Sequence, residues 1–282
     1  MKPCRILLGC ILASLCLLSG GAGAQIITEF AVPTAGSFPK GIVAGPDGAL
    51  WFAEESGNKI GRITTAGVIT EFTVPTASSS PVNIAAGSDG ALWFTETNVN
   101  KIGRITTAGV ITEFVLPTAG FRPNGIAAGP DGALWFTESK PSAGGDAIGR
   151  ITTAGVITEF VLPTAGSAPG GITAGPDGAL WFTEFGGNMI GRITTAGVIT
   201  EFTIPTAASF PFGITAGPDG ALWFLEFGAN KVGRITTAGV FTEFAIPTVN
   251  SQSIGIVAGP DGALWFTESN GPKIGRITTA GV

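Results

Sequence analysis

One eight-residue segment, GPDGALWF, occurs five times in this chain and a sixth time with serine in place of proline. The copies begin at residues 45, 129, 175, 217 and 259, and the variant copy begins at residue 87. Their tryptophans are 42, 42, 46, 42 and 42 residues apart. A repeat of this length, built from short apolar runs separated by glycine, is typical of the four-stranded blade of a β-propeller. Helical repeats need long segments with a period of 3.6 residues, which this sequence lacks.

Each repeat predicts four strands, which we letter A to D in chain order. In the first repeat the predicted strands are 41–45, 49–54, 58–64 and 68–74. Strand B (ALWFAE) is apolar on both sides, which suits a sheet whose two faces both pack against neighbouring blades.

The turns within a repeat also follow from its sequence. Residues 46–48 (Pro-Asp-Gly) predict a tight turn between strands A and B, with the six aspartates of these turns acting as turn formers. Residues 66–67 (Ala-Gly) predict a short turn between strands C and D. If that hairpin has two loop residues, Arg62 lies opposite Glu71, either as a cross-strand attraction or as a solvated pair of little energy.

The two ends of the chain complement each other. Residues 25–30 (QIITEF) resemble a strand D, and residues 276–282 (RITTAGV) are the end of a strand C with its turn. We therefore predict an all-β fold: a propeller of six antiparallel four-stranded blades in one domain, 25–282, whose N-terminal strand completes the last blade and leaves no exposed sheet edge. A second interpretation is that the stop at Val282, in the middle of a repeat, marks a truncated reading frame.

Residues 1–24 have the pattern of a secretory signal peptide. Lys2 and Arg5 precede an apolar run that ends in small residues, so cleavage is expected after Ala24 and the protein is expected to be secreted or periplasmic. The run is too short and poorly flanked to favour a membrane span. All three cysteines lie in this segment, so the exported chain is expected to have neither a disulfide nor a thiolate metal site.

The charge of the exported chain bears on its partners. Without Lys2 and Arg5, 13 of the 15 Lys and Arg residues remain against 20 Asp and Glu. No basic cluster occurs, which argues against a nucleic-acid partner. We expect a monomer that binds a small molecule or an extracytoplasmic protein.

Sequence variation marks one end of the predicted propeller. The A–B and C–D turns hardly change between repeats, whereas the B–C and D–A connections, which meet at the opposite end, carry nearly all the variation. Loops on a rigid scaffold are where binding groups are usually placed, although drift without selection would collect there too. The predicted binding residues on this loop face are Arg122, Asn124, Phe210 and Phe212.

The repeat text GPDGALWFTE…NKIGRITTAGVITEF…PT resembles the repeat of the streptogramin B lyase (virginiamycin B lyase) family over essentially all of residues 25–282. The resemblance implies a seven-bladed propeller. It also implies a Mg²⁺-dependent C–O lyase that linearises a cyclic depsipeptide by elimination across its ester linkage, with a histidine as general base. The family's functional residues are two histidines after the proline of the D–A loop, a glutamate just before one of them, and a glutamate just past strand B.

This chain departs from that pattern because it contains no histidine. The positions that match the family's histidines are Lys40, Val82, Asn124, Gly170, Phe212 and Ile254. The positions two residues earlier, which match the glutamate, are Phe38, Ser80, Arg122, Ala168, Phe210 and Gln252. Base-promoted elimination needs a group poised near neutral pH. Glu55, just past strand B, and Lys40 are the candidate catalytic residues, provided that burial shifts their pKa values.

A glutamate ends every strand B, and these residues are candidate metal ligands. They are Glu54, Glu96, Glu138, Glu184, Glu226 and Glu268. A ring of carboxylates around the channel would suit a hard cation such as Mg²⁺. The alternative is that each glutamate caps its own B–C turn or meets a nearby lysine or arginine.

Three functions therefore compete. The first is a propeller that binds a ligand or partner through its variable loop face. The second is a metal-assisted lyase in which another residue replaces the histidine base. The third is an amplified repeat array, or a fragment, with no evolved site. Near-identical blades argue against an optimised active site, since catalysis needs different groups converging on one place.

Overall fold

Twenty-three strands form the regular structure of residues 28–140 and 145–282, the parts of the chain that the computed structural model describes. They form six antiparallel sheets that follow one another along the chain, which confirms the predicted propeller blades. The predicted signal peptide, 1–24, lies outside the described residues. Within the described ranges no helix has the length and hydropathy needed to cross a bilayer.

Every sheet keeps its strands in chain order. The first two blades are β1 (Pro39–Ala44), β2 (Leu50–Glu54), β3 (Lys59–Ile63), β4 (Ile69–Thr73), and β5 (Pro81–Ala86), β6 (Leu92–Glu96), β7 (Lys101–Ile105), β8 (Ile111–Val115). The third and fourth are β9 (Arg122–Ala128), β10 (Leu134–Ser139), β11 (Ala147–Ile151), β12 (Ile157–Val161), and β13 (Pro169–Ala174), β14 (Leu180–Glu184), β15 (Met189–Ile193), β16 (Ile199–Thr203). The last two are β17 (Pro211–Ala216), β18 (Ala221–Glu226), β19 (Lys231–Thr236), β20 (Phe241–Ala245), and β21 (Ser253–Ala258), β22 (Ala263–Glu268), β23 (Lys273–Thr278).

The C–D hairpin is one residue longer than a two-residue turn. The Thr64 N–H donates to the Val68 carbonyl at 3.0 Å, and Gly67 has a φ of 83°, which a glycine adopts without strain. Three residues therefore lie inside the turn, and the register shifts by one. Arg62 faces Thr70 rather than Glu71, so the predicted Arg62–Glu71 pair is wrong.

Arg62 pairs with the turn aspartate of its own blade. Its Nε lies 2.6 Å from Asp47 Oδ2, the Trp51 Nε1–H donates to Asp47 Oδ1 at 3.0 Å, and the guanidinium lies 5.8 Å from the indole ring. Although burial acts to raise it, these hydrogen bonds hold the pKa of Asp47 below its ordinary value. The other five blades repeat the cluster, so these aspartates are structural, as the turn prediction requires.

At each contact between neighbouring blades, which we call a seam, one face of a sheet packs against the opposite face of the next sheet. In the first seam Trp51 and Ile60 pack against Leu92 and Phe94 of the second blade, and Trp51 stacks on Phe72 of its own blade at 5.6 Å. The same tryptophan-to-leucine contact recurs at the next four seams. Burial of these large side chains is the main apolar contribution to stability.

The outer faces of the first and last blades are exposed. Leu50 is 44% exposed, whereas its equivalents in the other blades are buried, and Trp265 is 36% exposed, whereas the other five tryptophans are at 0%.

The predicted closure by the N-terminal strand is not observed. The sixth sheet contains three strands among the described residues, and residues 28–30 of the predicted closing segment are not in a strand. Residues 25–27 lie outside the described part of the chain, so closure by the N-terminal strand stays a prediction.

Candidate functional site

The A strands surround a central cavity of about 410 Å³. In each blade, the first residue that lines this cavity occupies the position that the family resemblance aligns with histidine. These residues are Lys40, Val82, Asn124, Gly170, Phe212 and Ile254. The structure thus places all six sequence-aligned positions in one cavity, and none of them is histidine or acidic.

The B–C and D–A loops lie at the same end, as predicted, and hydrogen bonds connect them to one another. The Ser56 N–H of a B–C turn donates to the Ser37 carbonyl of the D–A loop at 3.0 Å. Asn58 donates to the Val74 carbonyl at 3.1 Å and accepts from the Ser79 N–H at 2.7 Å, which anchors the next D–A loop. These bonds give the cavity rim a fixed backbone on which the variable side chains stand.

A second cavity, of about 210 Å³, adjoins the first between the third, fourth and fifth blades. Asn124, Gly170 and Phe212 line both cavities. Phe185 lines the smaller one, stacks on Phe210 at 5.1 Å and meets Phe212 edge-on at 6.3 Å. The sequence prediction missed Phe185, although an aromatic residue directly after the strand-B glutamate, in the variable FGGN loop, was a signal for it.

The four predicted binding residues have different positions. Asn124 and Phe212 line the cavities, and Phe210 contacts the aromatic group beside them. Asn83 donates its amide to the Asn124 carbonyl at 3.1 Å and to Asn124 Oδ1 at 3.3 Å, which orients the Asn124 side chain. Arg122 is exposed in β9, opposite Ser139, and lines neither cavity.

Lys40 and Glu55, the candidate catalytic pair, do lie together. Lys40 Nζ is 3.4 Å from Glu55 Oε2 and 4.7 Å from the Phe38 ring. Their side chains are 40% and 32% exposed. Burial is what would turn a lysine or a carboxylate into a base near neutral pH, and this site does not provide it.

The strand-B glutamates lie inside their blades rather than around the channel. All six are buried, and none lines the central cavity. In the first five blades neither carboxyl oxygen has a hydrogen-bond partner among the described residues. Within residues 28–140 and 145–282, no three His, Cys, Asp or Glu side chains converge as a metal site would require. The carboxylates therefore do not fit the Mg²⁺ site that the resemblance implies.

These glutamates adjoin a polar network that ties each blade to the loop before it. Glu71 of β4 accepts from the Thr34 N–H and hydroxyl, both at 2.8 Å, and pairs with Lys59 at 2.6 Å. Burial, and then the nearby Glu71 carboxylate, raise the pKa of Glu54 to about 7. The site favours a neutral Glu54 beside an ionised Glu71.

The third and fourth blades lack the lysine of this network. Ala147 and Met189 occupy its position. Burial, followed by the Glu159 carboxylate, raises the pKa of Glu138 to about 9. Burial and the partner carboxylate in the fourth blade likewise raise the pKa of Glu184 to about 8. These two glutamates are therefore predominantly protonated at neutral pH, as a buried carboxyl without a cation must be.

Comparisons with known proteins agree with the family resemblance of the repeat sequence. A sequence model described as the virginiamycin B lyase family matches residues 22–143 and 139–282. Virginiamycin B lyase from Staphylococcus aureus is 50% identical, with a TM-score of 0.82 over 86% of this chain and 82% of that chain. A streptogramin B lyase is 44% identical, with a TM-score of 0.84 over 90% of this chain and 84% of that one. A catalytically inactive histidine-to-alanine variant of the Staphylococcus aureus enzyme, with quinupristin, is 47% identical, with a TM-score of 0.85 over 90% and 86%.

Proposed function

The chain belongs to the virginiamycin B lyase family, and we propose that it binds cyclic depsipeptides of the streptogramin B class in its central cavity without linearising them. The signal-like residues 1–24 would place this binding outside the cytoplasm, where such a protein sequesters its ligand rather than destroying it.

One observation carries the proposal: the cavity is retained while the proton-accepting side chains are not. Its wall is formed by the six positions aligned with the family's histidines, and the chain has no histidine at all. The related enzyme described as catalytically inactive differs by a histidine-to-alanine change and was obtained with quinupristin. In that relative, loss of a histidine goes together with a ligand complex, and the present chain has lost every histidine.

The lyase alternative has less support. Lys40 and Glu55 pair with each other on an accessible surface. In that pair Lys40 is an ammonium, which has no lone pair to accept a proton, and protonation of Glu55 would neutralise the pair. The buried glutamates are spread over separate blades, so no carboxylate cluster supports a Mg²⁺ ion at the cavity.

The composition of the cavity favours an amphipathic ligand. Its volume falls within the range of small-molecule sites, about 300–1,000 Å³. Phe212 provides aromatic surface, and Asn124 and Lys40 provide polar groups. Phe185, which stacks on Phe210, adds aromatic surface in the adjoining smaller cavity. Aromatic ligand groups would stack on the phenylalanines, and ligand carbonyls would accept from the amide and the ammonium.

Binding of quinupristin to the purified protein, measured by isothermal titration calorimetry, tests the proposal. Phe212→Ala is expected to weaken binding by about tenfold to a hundredfold, because one buried aromatic contact contributes about 1.5–3 kcal/mol. Phe38→Ala is the matched control, since Phe38 occupies the Phe210 position in the first blade, outside both cavities. Equal affinities for the wild type and Phe212→Ala, or no saturable binding by a folded protein, would contradict the proposal.

A further inference from the structure

Threonine hydroxyls connect neighbouring blades behind the wall of the central cavity. Thr95 accepts from the Asn83 N–H of its own blade at 3.2 Å and donates to the Asn124 carbonyl of the next blade at 2.9 Å. Thr137 and Thr183 donate in the same way to the first cavity-lining residue of the blade that follows each, at 2.8 and 2.7 Å. These main-chain carbonyls of the third to fifth blades are therefore already occupied by the protein's own donors.

The side-chain amide of Asn83 has a single orientation. Its Nδ2 lies 3.1 Å from the Asn124 carbonyl oxygen, and only the N–H₂ end of an amide can donate to a carbonyl. The Asn83 Oδ1 faces the first blade instead, where a β-carbon built on Gly41 would lie 3.1 Å from it. The main chain thus fixes this amide.

Asn83 in turn fixes the amide of Asn124. The same Nδ2 lies 3.3 Å from Asn124 Oδ1, so the carbonyl end of the Asn124 amide faces Asn83. A reversed amide would set two N–H₂ groups against each other. The Asn124 N–H₂ group therefore points away from Asn83, and it donates to no other group within residues 28–140 and 145–282. Since Asn124 lines both cavities, this group is available to a bound molecule.

We propose that Asn83 is a positioning residue that presents the Asn124 N–H₂ group to the cavity, so that this side of the cavity selects a ligand carbonyl oxygen. A ligand N–H or ammonium group placed there would meet a second donor and would lose its hydrogen bonds to water. Lys40, on the first blade, likewise only donates. The inference rests on the proposed depsipeptide binding, because the ester and amide carbonyls of such a ring are acceptors.

The orientation is measured first in the free protein by nitrogen-15 NMR. The side-chain amide protons of Asn83 are expected to exchange with water about tenfold more slowly than those of Asn124, because only Asn83 donates to the protein. Asn83→Leu and Asn124→Asp assign the two signals. Equal rates, or slower exchange at Asn124, would overturn the proposal whatever the protein binds.

Calorimetry with quinupristin then measures the selectivity. Asn124→Asp replaces the donor by an acceptor of similar size and is expected to weaken binding by about tenfold to a hundredfold. Asn98→Asp is the matched control, since it makes the same change of charge on an exposed loop residue outside both cavities, and unchanged binding is expected. Equal affinities of the wild type and Asn124→Asp would contradict this inference and leave the proposed function in place.

A double-mutant cycle separates positioning from a structural role of Asn83. Asn83→Leu keeps the size of the side chain, and the Asn124 carbonyl keeps its bond from Thr95. The change is expected to weaken quinupristin binding about fivefold in the wild type and less than about twofold in Asn124→Ala. Equal losses in both backgrounds would overturn the positioning role.

Absence of quinupristin binding would refute the proposed function, and a smaller probe then decides the selectivity. N,N-dimethylacetamide has an acceptor oxygen and no N–H group. It is expected to shift the Asn124 side-chain signal in the wild type, and to shift it about twofold less in Asn83→Leu. No shift of that signal in the wild type would overturn this inference as well.

Discussion

Gly149→Ala is expected to destabilise the protein by about 3 kcal/mol, the upper part of the range for overpacking a core. A β-carbon at residue 149 would lie 2.2 Å from ring atoms of Phe136. That ring is fully buried at the seam between the second and third blades, so it has no free space into which to move. The same glycine recurs in strand C of every blade because the phenylalanine of strand B lies across it.

Urea unfolding followed by circular dichroism measures this change. Gly271→Ala is the control, because nothing lies within 4 Å of a β-carbon built there, and a loss below about 0.5 kcal/mol is expected. If the two variants have equal free energies of unfolding, the core accommodates a methyl group at residue 149 beside the Phe136 ring, and the prediction is wrong.

Glu138→Gln is expected to stabilise the protein by on the order of 3 kcal/mol at pH 7 and by more at pH 8.5, and to change stability little at pH 5. The pKa of Glu138 is raised to about 9, whereas its ordinary value is 4.5. Between these values the native carboxyl keeps its proton and the unfolded carboxyl loses it. Unfolding therefore releases a proton, and rising pH favours the unfolded chain.

The stability contribution of the protonated Glu138 is thus complete below pH 4.5 and is lost as pH rises towards 9. Free energies of unfolding at pH 5, 7 and 8.5 for the wild type and Glu138→Gln measure it. Glu54→Gln is the matched control, because Lys59 lies near that carboxyl and its pKa is raised only to about 7, so a smaller change with pH is expected. A parallel pH dependence in the wild type and Glu138→Gln would contradict a buried protonated carboxyl.

Much of the fold could be predicted because the repeat length, the turn residues and the doubly apolar strand B all indicate one blade. The six copies of the tryptophan strand fixed the number of blades without further information. The location of the variable loops at one end followed from alternation along an up-and-down sheet, and the bonds from Asn58 to the next D–A loop agree with it.

The side-chain partners could not be predicted with the same success, for physical reasons. One extra turn residue beside Gly67 changed the register, so Arg62 lies opposite Thr70 and pairs with Asp47. The direction of the strand-B glutamates depends on the strand-C glycine, which leaves room for a carboxyl inside the blade rather than in the channel. Gly191 illustrates this, since a β-carbon there would lie 2.8 Å from Glu184 Oε1.

The exposure of the outer faces of the first and last blades could not be predicted from the repeat sequence. The resemblance implied seven blades and the repeat count gave six, and the structure has six blades with exposed faces at Leu50 and Trp265. Two of the predicted binding residues, Asn124 and Phe212, line the cavity because they occupy aligned positions at the start of strand A, and their role in binding stays a prediction. Arg122, two residues earlier, is exposed and does not line the cavity.

Incubation of quinupristin with the purified protein and Mg²⁺, followed by liquid chromatography and mass spectrometry, tests the central claim most directly. Elimination across the ester opens the ring without a change of mass, so the product is recognised by its retention and fragmentation. We predict that the cyclic compound is recovered intact at protein concentrations that bind it, while the related lyase from Staphylococcus aureus opens the ring in parallel. Mg²⁺-dependent ring opening by this histidine-free protein would contradict the account and would direct attention to Lys40 and Glu55 as the replacement base.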